Sequence, residues 1–330
     1  MGERVAVLLT GYGEVEHYDE FAEYNEKSFR LLVSKSIKFP DRAIPYLSRR
    51  LERRQRKEWH AANHYHSPHN DIFERQRAGI EANLKQVYGD DVAVYKTFNF
   101  VEPYLPDDVL AEIQKDGFDK LVVYPWLVVD SVYTSGLVLE QINHALASNS
   151  RWVKDMRYLP SFWEREDFQQ RMADQIIEGI APLLERYVPV QVGVALCLHG
   201  CPLESKGQET GVRESTALYY AMQERLIERF PLMTPAWMNH PVPGKWTTPD
   251  VDQAAKNLIT LGAQAIVFAP IGFVTENHET QLDIGYTIDK VKDQVECLHL
   301  PVLNDDPELL RMGAEWISPL IDELGGAPAS

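Results

Sequence analysis

The chain has 330 residues, 45% hydrophobic and 25% charged, the balance of a globular protein rather than a disordered one. That length suits two compact units of ordinary size. A formal net charge of −16 excludes a general nucleic-acid binder, whose surface must be positive to meet phosphates.

Residues 4–13 form an almost continuous apolar run ending in Gly11-Tyr12-Gly13, which predicts a strand buried on both faces. Tyr12 reads either as packing at the strand end or as an oxygen donor facing a ligand. Residues 35–57 then hold nine Lys or Arg against two acids. This stretch, with Arg49 and Arg53 in it, reads as a solvated helix face or as a patch for an anionic small molecule, since Arg pairs with carboxylates bidentately. His64, His66 and His69 suggest zinc on counting alone, but Pro68 makes the segment a turn without fixed ligand geometry.

Residues 107–117 predict a helix ended by Gly117, and 119–125 a strand ended by Pro125, which cannot donate to a ladder. Another helix is expected near 131–143. Residues 155–166 suit a boundary, dividing the chain into 1–160 and 161–330. Helical spacing resumes at 167–186. Residues 191–200 then repeat the form of the first strand and end in His199-Gly200, so that Tyr12 aligns with His199. Residues 252–262 and 263–270 repeat the earlier helix and strand, ended by Gly262 and Pro270, and a last helix is expected at 307–324. The basic stretch absorbs the extra length of the first half. The pattern predicts an α/β protein of two doubly wound, Rossmann-like domains with parallel sheets, the halves forming a pseudo-repeat.

Ligands of open α/β sheets bind beyond the carboxyl ends of strands. His199 occupies such a position, and imidazole suits proton exchange near neutrality, although a lone His is often structural. Glu276, Glu279 and Asp283 follow the strand at 263–270 with spacings i, i+3 and i+7. They predict one acidic face of a helix over 275–291, either a solvated face or a line of carboxylates that passes protons or a divalent cation. Tyr124, Trp126, Tyr133, Trp237, Trp246 and Phe273 either pack a core or line a cleft for a large flat ligand. No phosphate loop, dinucleotide fingerprint or nucleophile elbow is present. The three cysteines, Cys197, Cys201 and Cys297, form no disulfide framework and fit a reducing compartment, with Cys197 placed in a core. No apolar run reaches the ~18 residues of a membrane span, and no signal segment is recognised; the expectation is a cytoplasmic protein.

These residues resemble the ferrochelatase family, enzymes that insert ferrous iron into a porphyrin in haem synthesis. Pro270-Ile-Gly-Phe-Val-Thr-Glu-Asn-His-Glu-Thr-Gln-Leu-Asp283 is similar to the family's P-x-x-F-x-S-D-[HN]-x-E-T-L-x-[ED] signature. Leu196-Cys-Leu-His-Gly-Cys-Pro202 resembles its S-x-H-G-x-P motif. Tyr124-Pro125, Val242-Pro-Gly-Lys-Trp246 and Pro301-Val-Leu-Asn-Asp-Asp-Pro307 echo further family segments. Gly11-Tyr12-Gly13 resembles the coproporphyrin-using branch. The chain departs from the family at Asn63-His-Tyr-His66, at Phe98-Asn-Phe100 where a basic residue is usual, at 126–136 and at Glu276-Asn277.

The resemblance implies a chelatase-like fold, with His199 and Glu279 catalytic and His199, Glu279, Asp283 and Tyr12 meeting the metal. It implies porphyrin contacts from Tyr12, Trp126, Lys245, Trp246, Arg49 and Arg53. Ferrous iron would be a substrate, no organic cofactor is implied, and the porphyrin would be coproporphyrin III or protoporphyrin IX. The alternatives are a chelatase for another divalent metal or tetrapyrrole, or a tetrapyrrole carrier or sensor without turnover. A monomer or homodimer is expected.

Overall fold

All seven residues of β1 (Val5–Gly11) are buried, as a central strand covered on both faces requires. A computed structural model gives the fold and describes residues 2–16, 20–36, 41–61, 65–149, 152–204, 207–240 and 244–328. β1 pairs with β2 (Val92–Phe98) on one side and β3 (Lys120–Pro125) on the other, and β3 pairs with β4 (Asp155–Tyr158). The order is β2-β1-β3-β4 and every pairing is parallel. The second sheet repeats it as β6-β5-β7-β8, with β5 (Val192–His199), β6 (Leu232–Met238), β7 (Ala265–Pro270) and β8 (Glu296–His299).

The register carries the repeat down to single residues. Thr10 pairs with Pro125 in the first sheet and Cys197 with Pro270 in the second. Two residues further on, Tyr12 and His199 therefore hold equivalent positions. All four edge strands, β2, β4, β6 and β8, escaped the sequence reading. Each is only partly buried, and β4 and β8 have just four residues, so none carries the long apolar run that marks β1 and β5.

In the first sheet α4 (Pro106–Lys115) and α5 (Ser135–Asn149) bring Val109, Leu110, Ile113, Val138 and Ile142 onto Ala6, Leu8, Leu121 and Val123. In the second, α8 (Val251–Thr260) and α9 (Ile284–Val291) bring Ala254, Ala255, Leu258 and Ile284 onto Ala195, Cys197, Ile266 and Phe268. Each buried Leu or Ile contributes about 1.5–3 kcal/mol relative to exposure. Cys197 is thus a core residue, and burial pushes its thiol well up.

The extra residues of the first half form α1 (Phe21–Ser36) and α2 (Ile44–Ala61), which pack together. The basic stretch is mostly α2, with Arg49 and Arg53 exposed. Part of its charge is met along the helix, Arg54 bonding Glu58 at 2.9 Å and Arg56 bonding Glu52 at 2.6 Å.

Contacts divide the chain into Met1–Ser161 with Asp305–Ser330, and Phe162–Asn304. The last helix, α10 (Pro307–Glu323), therefore packs with the first unit, a departure from a division into 1–160 and 161–330. It lies against α3 (His69–Tyr88), where Tyr88 Oη donates to Asp322 at 2.8 Å. Beyond it, Lys120 Nζ donates to the Leu324 carbonyl at 2.7 Å. The second unit is completed by α6 (Glu166–Ile180) and α7 (Val212–Leu226). No helix among the described residues is long and apolar enough to cross a membrane.

Candidate functional site

The second sheet positions the site through its central strand. His199 is the last residue of β5, and its side chain emerges 46% exposed where seven buried residues precede it. Gly200 must follow because the chain presses against the end of β6. A Cβ there would lie 2.6 Å from the Met238 carbonyl oxygen, and Gly200 N donates to that oxygen at 2.9 Å. The loops beyond the two strands are then laced together. Cys201 N donates to Thr247 Oγ1 at 3.0 Å, and Asn239 Nδ2 donates to the Thr247 carbonyl at 2.8 Å. Leu203 N donates to the Lys245 carbonyl at 2.8 Å.

This lacing brings His240, two residues past β6, beside His199. Their Nε2 atoms are 3.1 Å apart. His199 Nδ1 lies 2.8 Å from the Gly200 carbonyl oxygen. A carbonyl only accepts, so Nδ1 carries the proton, and in the neutral ring Nε2 presents its lone pair to the site. His240 Nε2–H is then the donor between the rings. Burial of its ring on the protein side pushes the His240 imidazole below its ordinary value, opposed by Glu279, although its side chain keeps 40% exposure.

Glu279 completes the group. Its side chain is 12% exposed, with Oε2 3.7 Å from His199 Nε2 and Oε1 3.6 Å from His240 Nε2. It opens a π-helical turn, Glu279–Asp283, of a kind often found at functional positions, which leads into α9. Asn277 caps that turn, its Oδ1 accepting from Thr280 N at 2.8 Å while its own N–H donates to Thr280 Oγ1 at 3.0 Å.

The expected acidic face does not form, because the helical residues begin only after Asn277 and leave Glu276 outside them. Glu276 points inward instead, accepting from Thr280 Oγ1 at 2.6 Å and from Val302 N at 3.0 Å. It ties the turn to the loop after β8. Asp283 ends the turn, exposed, and stands outside the three-donor group.

Trp246 is half-buried with its ring edge-on to His240 at 5.9 Å, and Phe273 lies 6.2 Å from the His199 ring. Lys245 is exposed and pairs with Glu204 at 2.8 Å. Trp126 offers no face to a ligand: it is 1% exposed, in the core of the first unit between Tyr124 and Trp316. Tyr124 and Trp237 are buried too. Tyr12 is half-buried with Phe100 edge-on at 5.1 Å. His64 lies outside the described residues. His69 is buried and stacked on Phe73, and neither it nor His66 belongs to the metal-type group. Cys201 is buried, which raises its thiol to about 11 and keeps it protonated near neutrality.

His240 escaped the sequence reading. Residues 232–238 before it carry no apolar run that reads as a strand, and nothing in the sequence says that they lie beside β5. The register supplies that fact, pairing His199 with Met238.

Three donors within 4.8 Å, two imidazoles and a carboxylate, can exchange protons or hold a divalent cation. The chain is similar along most of its length to proteins described as ferrochelatases. That of Synechococcus elongatus is 26% identical over 329 residues, covering 97% of this chain and 83% of the relative. That of Gloeothece citriformis is 26% identical over 320 residues, covering 92% and 79%. Among solved structures, the sirohydrochlorin chelatase SirB from Bacillus subtilis subspecies spizizenii, in complex with cobalt, shares the fold. Its TM-score is 0.54 at 9% identity, covering 98% of this chain and 95% of that one. The sequence model of the ferrochelatase family matches residues 4–319, and the chain belongs to that family.

Proposed function

We propose that His199 and Glu279 carry the chemistry by which this ferrochelatase-family enzyme inserts ferrous iron, its substrate, into a porphyrin. Insertion replaces two pyrrole N–H protons by one Fe2+, so two protons must leave the ring for each iron that enters. His199 accepts one of them at Nε2. The observation that carries this role is the 2.8 Å contact from His199 Nδ1 to the Gly200 carbonyl, which leaves Nε2 as the unprotonated nitrogen of the neutral ring. Glu279, 3.7 Å away and largely shielded from water, stabilises the imidazolium that forms and attracts the incoming cation. Asp283, exposed at the end of the same turn, relays protons out to solvent or metal in from it.

On the substrate side, Trp246 supplies a ring beside the histidines, and Lys245, Arg49 and Arg53 supply cations for propionates. Tyr12, at the position equivalent to His199, is the first unit's candidate oxygen donor to the metal. Its Gly11-Tyr12-Gly13 setting favours coproporphyrin III as the porphyrin. The enzyme acts in the cytoplasm as a monomer or homodimer.

Replacing a general base costs about 10²–10⁴ in rate. His199→Ala is therefore expected to lower kcat for insertion by that range while porphyrin affinity, read by fluorescence quenching, stays within a few-fold. Glu279→Gln is expected to act in the same direction. Wild-type turnover in His199→Ala would remove His199 from the chemistry.

A further inference from the structure

His240 belongs to none of the segments that resemble the family's motifs, yet it faces both His199 and Glu279. The three donor separations are 3.1, 3.6 and 3.7 Å. A cation held tetrahedrally at about 2.0–2.2 Å sets its donors about 3.3–3.6 Å apart. The observed values bracket that spacing, so shifts of a few tenths of an ångström make the group a ligand set. Two imidazoles and one carboxylate suit divalent iron, cobalt or zinc, and a fourth position stays open.

The set is also held in place by the protein itself. The Gly200 carbonyl orients the His199 ring, as metal-binding imidazoles are commonly oriented through their other nitrogen. Gly200 N on the Met238 carbonyl and Asn239 on the Thr247 carbonyl fix the two loops that present the histidines. Asn277 and Glu276 fix the turn that presents Glu279.

We infer that His240 is a third protein ligand, so that His199, His240 and Glu279 capture one divalent cation in the absence of porphyrin and set the enzyme's affinity for its metal. This deepens the insertion reading and rests on it. In the metal-free pair, His240 Nε2–H donates to His199 Nε2. On capture, His240 moves that proton to Nδ1 and binds through Nε2, so both rings stay neutral and the carboxylate supplies the single negative charge. Iron then waits on protein donors until the ring nitrogens take it over.

The test is equilibrium dialysis of the full chain against Co2+ without porphyrin, beside anaerobic insertion kinetics with Fe2+. Wild type is expected to bind one Co2+ per chain. His240→Ala is expected to weaken that binding at least about tenfold and to raise the KM for Fe2+ in step, with porphyrin affinity unchanged. His240→Cys is expected to keep Co2+ and to add a sulfur-to-cobalt charge-transfer absorption, which a merely structural histidine would not produce. Undiminished Co2+ affinity in His240→Ala overturns the inference, as does a wild type that inserts iron but captures no Co2+ alone. Co2+ capture that depends on His240 in a chain that inserts no iron upholds the metal site and overturns the insertion reading instead.

Discussion

Glu279 meets both imidazoles because three short constraints coincide: a strand end at His199, a glycine after it that tolerates the neighbouring backbone, and a capped turn that starts at Glu279. Gly200 is the least replaceable of these. A methyl group there collides with the Met238 carbonyl oxygen, a backbone atom that cannot rotate away. Gly200→Ala must therefore push the His199 and His240 loops apart. A displacement of about 1 Å at a reacting group costs on the order of a hundredfold in rate. The expected outcome is a fall of that size in insertion kcat without loss of the folded state, read by anaerobic kinetics and circular dichroism on the same sample. A Gly200→Ala enzyme with full activity would show that the loop's close approach does not set the geometry. His199 and Glu279 were legible in the sequence because each follows a strand whose apolar run is unmistakable. His240 was not, because its importance depends on which strands are neighbours, a fact that only tertiary pairing supplies. Glu276 misled for the opposite reason. Its spacing matched a helical face, but its buried carboxylate is worth more to the fold as an acceptor for Thr280 and Val302 than as part of a solvated stripe.

The elements were legible where burial is two-sided. β1, β3, β5 and β7 are nearly all buried, and the sequence carries them as apolar runs ended by Gly or Pro. The edge strands β4 and β8 are half-buried and short, so their pattern does not stand out. Trp126 marks the limit of reading side chains by type. An aromatic near a strand end suits a ligand or a core equally, and α10 decides the matter by packing Trp316 and Gly313 against it. A Cβ on Gly313 would lie 2.8 Å from the Trp126 ring. Gly313→Ala is expected to destabilise the protein by about 1–3 kcal/mol through overpacking, measured as a lowered urea midpoint at unchanged slope. Porphyrin affinity of the folded protein should hold. A variant of full stability but weakened porphyrin binding would restore Trp126 to the substrate side.

At the scale of the molecule, the pseudo-repeat explains the division of labour. Both sheets have one order and one register, yet the equivalent strand ends carry Tyr12 in one unit and His199 in the other. One unit has the two imidazoles and the carboxylate; the other has the basic helix α2. The return of α10 to the first unit was not legible from the sequence. Its amphipathic pattern fits either sheet, and only its bonds to Tyr88, and those of the residues after it to Lys120, reveal which unit it serves. The central claim is that this chain is a working iron chelatase rather than a tetrapyrrole carrier that keeps the fold. The most direct measurement is anaerobic absorbance spectroscopy of the purified protein with Fe2+, offered coproporphyrin III and protoporphyrin IX separately. Conversion of the free-base spectrum to the metallated one, above the rate without protein and faster with coproporphyrin III, is the predicted result. Tight binding of both porphyrins with no metallation of either would contradict it.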